Sequence, residues 1–263
     1  MHVLQHAYGA LTFAGVAASL AVTHRVLERR RRAGVRLHHG RERTPADTLR
    51  QLWWLALAAY ASGQVGSIAL AVTEHDFRGA LADDVPRSVW GGLLLGALVV
   101  AWLAERFDLR KIVVADAAGP AILAAYAIGR LGCHVAGDGC WGLAADAKAA
   151  AWFPASLAVG YGWSMSPPPA PVLPTSLCEA AICALAAVPL ARRAARTGGD
   201  GATFRASVAV LALERLLIEI WRTNPKYVAL GLHASQAQCI ALAVLAAVLA
   251  WAAAIAARAR GLI

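Results

Sequence analysis

Charged side chains are set into an apolar run, Leu213-Glu214-Arg215-Leu216-Leu217-Ile218-Glu219-Ile220-Trp221-Arg222. On a helix, Arg215, Glu219 (four residues on) and Arg222 (seven on) share one face. A second charge follows another apolar run at the stretch Gly129-Arg130-Leu131-Gly132-Cys133-His134-Val135-Ala136-Gly137-Asp138-Gly139-Cys140-Trp141-Gly142. An arginine inside or at the mouth of an apolar segment is costly unless it meets a partner or a ligand. Glu219 can be that partner for Arg215, which would make the pair a purely structural one. One carboxylate does not neutralise three arginines, however. Arg130, Arg215 and Arg222 together leave positive charge for an anionic lipid head group, and the planar guanidinium fork suits phosphate. The glycines let the backbone fold closely around such a group. The plainer alternative is that Arg130 snorkels to the membrane interface and the glycines make an ordinary turn.

Lesser polar positions lie nearby. Gln5, His6 and Tyr8 come near one end of the first apolar run, and Glu179 lies about one turn into the fifth. His6 and His134 are candidate bases with no partner identifiable from sequence. Asp116 reads as a cap or a solvated group at the inner end of the fourth run. Cys133, Cys140, Cys178, Cys183 and Cys239 form no CxxC pair and no His/Cys cluster of zinc spacing, so no metal site is expected. Cys133 and Cys140 share one loop, and a disulfide between them is open if that loop faces an oxidising compartment.

The elements that position these residues are membrane helices. The chain of 263 residues is 59% hydrophobic, above the roughly 45–50% of soluble domains. Apolar runs of about 20 residues recur, each long enough to cross a hydrocarbon core. The fold class is all-α: a polytopic membrane protein with spans at about 3–26, 49–73, 89–104, 112–129, 172–191, 204–222 and 234–257. The third is short, either little tilted or partly re-entrant. The first run carries its basic cluster behind it, the reverse of a secretory leader, and reads as a retained span. No internal repeat is visible, which disfavours a transporter of two similar halves.

Of the 25 Lys and Arg, 18 fall in 25–50, 105–111, 192–205 and the tail from Arg258. The positive-inside rule makes these loops cytoplasmic, with the N-terminus outside, the C-terminus inside and the glycine-rich loop facing outward. The same distribution argues against a nucleic-acid partner despite the net charge of +9. The outer loop 74–88 is acidic. Residues 143–171, with Trp152, Phe153, Tyr161 and Trp163, read as a small extracytoplasmic interfacial cap within one membrane-embedded domain, 1–263. A disordered proline-rich loop is the alternative.

Taken together, these residues resemble the prolipoprotein diacylglyceryl transferases of bacteria. The family's glycine-arginine loop corresponds to Gly129-Arg130-Leu131-Gly132 through Gly142, and its span-six pattern to Arg215, Ile218-Glu219 and Arg222. Its Pro-(Ser/Thr)-x-Leu-x-Glu corresponds to Pro174 through Glu179, and its Tyr-Gly to Tyr8-Gly9. The resemblance implies diacylglyceryl transfer from phosphatidylglycerol to the lipobox cysteine of a preprolipoprotein in the bacterial plasma membrane. Arg130 and Arg215 would be catalytic, with Tyr8, Gly129, Gly132, Asp138, Gly142, Glu179, Glu219 and Arg222 binding substrate. It also implies no metal and no cofactor. Three positions depart from the family. Trp90 stands before Gly91-Gly92 where a histidine proposed as general base is expected. Gln64 replaces an arginine in Gly63-Gln64-Val65-Gly66, and Cys133 replaces an asparagine. A homologue that binds anionic phospholipid or lipoprotein without chemistry is therefore the alternative.

Overall fold

The computed structural model describes residues 2–40, 43–72, 88–147, 153–164, 167–224, 227–229 and 232–259. The helices are α1 (His2–Arg32), α2 (Pro45–Ala71), α3 (Val89–Arg106), α4 (Lys111–Ala136), α5 (Thr175–Ala194), α6 (Ala202–Ile218) and α7 (Gln236–Ala259). A two-stranded antiparallel ribbon, β1 (Tyr227–Ala229) and β2 (Leu232–Ala234), pairs Val228 with His233. Helices lie where the sequence places its apolar runs. All but α6 are long and apolar enough to cross a membrane. α6 has 17 residues and is followed directly by a 3-10 turn, Glu219–Trp221. α3 is one continuous helix of 18 residues. The acidic outer loop expected at 74–88 lies almost wholly outside the described residues, as do Trp152 and the side chains of Gln5 and His6.

The chain divides into two compact units. One comprises Leu20–Ala118 and Ala191–Thr203. Its α2 starts where sequence chemistry asks for it: Thr44 Oγ1 accepts from Asp47 N at 3.2 Å, Pro45 takes a first-turn position, and Asp47 offsets the helix dipole. α2 and α3 meet backbone to backbone at glycines. A Cβ on Gly66 would collide with the Gly91 carbonyl and lie 2.7 Å from Leu95 Cβ, and one on Gly91 would lie 2.6 Å from Leu70 Cβ. Small residues give membrane helices this close approach.

The core of this unit is Leu27, Leu37, Leu52, Leu55, Leu109, Val113 and their neighbours. A fully buried Arg30 is embedded in it. Its Nε donates to Ala194 O at 2.6 Å, Nη1 to Val113 O at 2.9 Å and Nη2 to Thr197 Oγ1 at 3.2 Å, and Asp116 Oδ2 lies 3.5 Å from Nη2. Asp116 also accepts from Gly201 N at 2.9 Å. The reading of Asp116 as a cap or solvated group is thus corrected. It is wholly buried as the counter-ion of Arg30, a partner 86 residues away that no local spacing reveals.

Asp116→Ala leaves the Arg30 charge buried without its counter-ion. The expected cost is about 3–5 kcal/mol, measured as an earlier unfolding midpoint of the detergent-solubilised protein; an unchanged midpoint would show that the carbonyls alone hold Arg30.

Candidate functional site

The other unit comprises Met1–Ser19, Gly119–Leu190 and Phe204–Ile263, and it contains the whole candidate site. At its centre is Glu179, completely buried one turn into α5. Its Oε1 accepts from Arg130 Nη2 at 2.7 Å, Arg222 Nη1 at 3.1 Å and Arg215 Nη1 at 3.4 Å. Its Oε2 accepts from Tyr126 OH at 2.7 Å and also meets Arg130 Nε. A second buried carboxylate, Glu219, holds Arg215 Nη2 at 2.9 Å and accepts from Asn224 Nδ2 at 2.5 Å. Three guanidiniums therefore meet two carboxylates directly, and a third buried carboxylate, Glu214 of α6, shares their surroundings with its Oε1 lacking a hydrogen-bond partner among the described residues. Arg215 Nε and Arg222 Nε are buried and have no hydrogen-bond acceptor among the described residues. Buried donors in that state favour any ligand that brings acceptor oxygens.

Arg222 reaches this cluster by a different route from the one its spacing suggests. α6 ends at Ile218, the chain tightens into the 3-10 turn, and Arg222 itself is extended (φ −88°, ψ 154°). One continuous helix face is thus corrected to a helix, a 3-10 turn and an extended residue. The bridge that holds Arg222 is tertiary, and the sequence signal just ahead is Asn224-Pro225, where the proline keeps Asn224 out of the helical region. Arg222 is fixed by an antiparallel bridge to Gly142, with Gly142 N donating to Leu173 O at 2.8 Å and Leu143 N to Trp221 O at 2.7 Å. A Cβ on Gly142 would lie 2.6 Å from Trp221 O, so only glycine fits this crossing.

The glycine-rich loop begins inside α4, so Arg130 sits on a helix of 26 residues while the turn proper starts at Gly137. Gly137 (φ +63°) and Gly139 (φ +85°) take left-handed conformations that reverse the chain. Asp138, between them, is exposed and accepts from Cys140 N at 3.1 Å. Gly132 packs under α1, where a Cβ would lie 3.4 Å from the Tyr8 ring; a Cβ on Gly129 would meet nothing within 4 Å. Tyr8, Gly132, Asp138 and Gly142 thus line the loop and its supports, whereas Glu179, Glu219, Arg130, Arg215 and Arg222 form the charged centre.

Sequence reasoning missed several residues. Tyr126 lies four positions before Arg130, a helical spacing that pointed at the cluster. Asn224 had no such signal. His134, read as partnerless, has its Nδ1 2.8 Å from Tyr161 OH, an aromatic with uncommon positive φ of 42°. Trp141 and Trp163 pack tilted against Tyr161 at centroid distances of 5.0 and 5.3 Å, and Trp163 Nε1 donates to Val135 O at 3.0 Å. The described part of 143–171 is thereby latched onto the end of α4 and does not hang as a free proline-rich loop. Cys133, Asp138 and Cys140 bring two sulfurs and a carboxylate oxygen within 4.8 Å of one another, a donor set that the spacing reading did not foresee. Arg130 Nη1, 3.7 Å from Cys133 Sγ, opposes a cation there.

A family model described as prolipoprotein diacylglyceryl transferase matches residues 2–252 of this chain. Two curated relatives, the phosphatidylglycerol–prolipoprotein diacylglyceryl transferases of Leptospira interrogans serogroup Icterohaemorrhagiae serovars copenhageni (strain Fiocruz L1-130) and Lai (strain 56601), are each 44% identical over 59 residues. That stretch covers 22% of this chain and 19% of each relative.

Glu179→Gln keeps the volume but strips the shared carboxylate from three guanidiniums. It should lower stability by about 3–5 kcal/mol, against about 1.5–3 kcal/mol for Tyr126→Phe, which deletes one hydrogen bond to a charged group. Chemical unfolding in detergent reads both, and equal losses would contradict a hub role for Glu179.

Proposed function

Because the chain belongs to the prolipoprotein diacylglyceryl transferase family, we propose that it moves a diacylglyceryl group from phosphatidylglycerol to the lipobox cysteine of a translocated preprolipoprotein. The observation that carries this reading is the convergence of Arg130, Arg215 and Arg222 on one buried carboxylate, with Arg215 Nε and Arg222 Nε buried and without a hydrogen-bond acceptor among the described residues. A phosphodiester head group brings the acceptor oxygens that these two donors lack.

In the reaction, the acceptor sulfur forms a bond to the glyceryl carbon as the carbon–oxygen bond to phosphate breaks. Glycerol 1-phosphate leaves and the thiol proton is lost. Arg130 and Arg215 hold the phosphate and stabilise the charge that grows on the leaving oxygen. Glu179 and Glu219 orient those guanidiniums, Arg222 closes the third side, and Gly129, Gly132, Gly142, Tyr8 and Asp138 shape the head-group loop. An acceptor thiol of free pKa about 8.5 ionises more readily in a cationic site, so attack as thiolate does not demand the family's histidine. Seven spans, an outward N-terminus and a site opening to the extracytoplasmic side of the bacterial plasma membrane fit the basic loops.

Trp90, buried in α3 where the family carries that histidine, favours a second reading: a homologue that binds anionic lipid or lipoprotein without turnover.

Expression in a bacterium depleted of its own diacylglyceryl transferase separates the two. The chain should restore lipoprotein maturation on a gel, Arg130→Ala and Arg215→Ala should each abolish it, and Trp90→Phe should retain it. Thioether formation by the Arg215→Ala variant, detected by mass spectrometry, would sink the catalytic assignment. Lipid binding by the purified protein with no glycerol phosphate release across a broad pH range would establish the second reading.

A further inference from the structure

Two thiols stand at the end of α4 without a role in the charged cluster. We infer that Cys133, Asp138 and Cys140 form a binding site for a thiophilic divalent cation of the zinc class, with a fourth position open to an external thiol. The cation site stands on its own geometry; the identity of that thiol as the acceptor cysteine rests on the transferase reading above.

Three donors of the right kind converge. The two sulfurs and a carboxylate oxygen of Asp138 lie within 4.8 Å of one another. A tetrahedral zinc ion with bonds to sulfur of about 2.3 Å spaces two sulfurs about 3.8 Å apart, so these donors lie within about 1 Å of ligand spacing. All three come from one eight-residue stretch, 133–140, and hydrogen bonds hold its backbone in place. Gly137 (φ +63°) and Gly139 (φ +85°) reverse the chain, Gly137 N donates to Cys133 O at 3.0 Å, and Cys140 N donates to Asp138 Oδ1 at 3.1 Å. From outside the turn, Ser164 Oγ donates to Gly137 O at 2.7 Å and Thr175 Oγ1 to Cys140 O at 3.2 Å. Ligating carboxylates are themselves hydrogen-bonded as a rule, as Asp138 is.

The donor set selects the ion. Magnesium and calcium take oxygen ligands and are excluded by two thiolates, while a carboxylate beside them suits zinc better than copper(I). Arg130 Nη1, 3.7 Å from Cys133 Sγ, repels a free cation. Once the site is filled, however, two thiolates and a carboxylate carry more negative charge than a divalent cation neutralises. The same guanidinium then donates to a ligating sulfur and stabilises the filled site. Binding releases both thiol protons to water.

Three protein ligands leave a fourth position, as in zinc sites that exchange a ligand. Cys133 closes the buried side, whereas exposed Asp138 and half-buried Cys140 border solvent. An external thiol that binds there gives its proton to water and becomes a metal thiolate. In the proposed transfer, its sulfur forms the bond to the glyceryl carbon as the carbon–oxygen bond to phosphate breaks. The thioether that results is a weaker ligand than a thiolate and leaves the cation. The cation thereby does for the acceptor thiol what a general base otherwise does.

The test uses the full chain in a non-ionic detergent, purified without a polyhistidine tag and kept reduced by a phosphine, which is neither a thiol nor a source of disulfide. Titration with cobalt(II), a spectroscopic stand-in for zinc, should raise sulfur-to-cobalt charge-transfer absorption that saturates at about one ion per chain. Zinc should bleach it. Cys133→Ser and Cys140→Ser should each abolish that absorption, Asp138→Asn should weaken cobalt binding, and Cys178→Ser and Cys239→Ser should change nothing. In the unaltered protein, zinc should slow alkylation of Cys133 and Cys140 but not of Cys239, read by mass spectrometry. Absence of the absorption, its survival in Cys133→Ser, or alkylation indifferent to zinc overturns the cation site. A peptide with a single cysteine should shift the cobalt d–d bands and its serine counterpart should not; no shift overturns the open position. If cation and peptide bind as stated but no glycerol phosphate is released, the transferase reading fails and the site stands.

Discussion

A single carboxylate, Glu179, fixes the geometry of the candidate site. Buried without partners, it would be expensive; buried against Arg130, Arg215, Arg222 and Tyr126, it makes their convergence the low-energy arrangement. The three arginines come from three places in the chain: α4, α6, and the extended residue after the 3-10 turn. Like charges so close repel unless an anion lies between them. The loop crossing at Gly142 and the break at Ile218 are thus conditions for bringing Arg222 to Glu179.

Much of this was legible from residue types alone. Arg130, Arg215, Glu219 and Arg222 stand out because charge inside an apolar run has few cheap explanations, and helical spacing tied three of them together. Glu179 stood out as a polar residue one turn into the membrane. What spacing could not reveal is that Glu179, rather than Glu219 alone, binds all three guanidiniums, because 49, 36 and 43 residues separate it from its partners. For the same reason Arg30 and Asp116 escaped notice as a pair: Arg30 was counted among basic loop residues, and it is wholly buried.

The helix pattern was the most legible level, since hydropathy over 20 residues is a strong signal and needs no partner. The end of α6 was the least. The apolar run continues through Trp221, so periodicity carries the helix on to Arg222, while the tightening at Glu219–Trp221 and the bridge to Gly142 belong to tertiary structure. A Pro225 three residues beyond Arg222 was the available warning, and the hydrophobic pattern masked it.

The family departures take on different weight once the structure is in view. Gly63, Gly66, Gly91 and Gly92 keep a packing role between α2 and α3 that does not depend on the missing histidine or arginine, so their presence alone speaks for fold. In the proposed transfer, catalytic competence would instead come from the unit that holds Glu179, Arg130, Arg215, Glu219 and Arg222. The converging arginines and the guanidinium donors without hydrogen-bond acceptors there would serve the binding of a phosphate and the stabilising of its departure equally. A site that binds the leaving group more tightly as its charge grows already contains the larger part of what this transfer requires, and the proton on the acceptor thiol is the smaller part. If the proposed transfer is the reaction, Trp90 would bear on its rate, whereas loss of Arg130 or Arg215 would bear on whether it occurs at all.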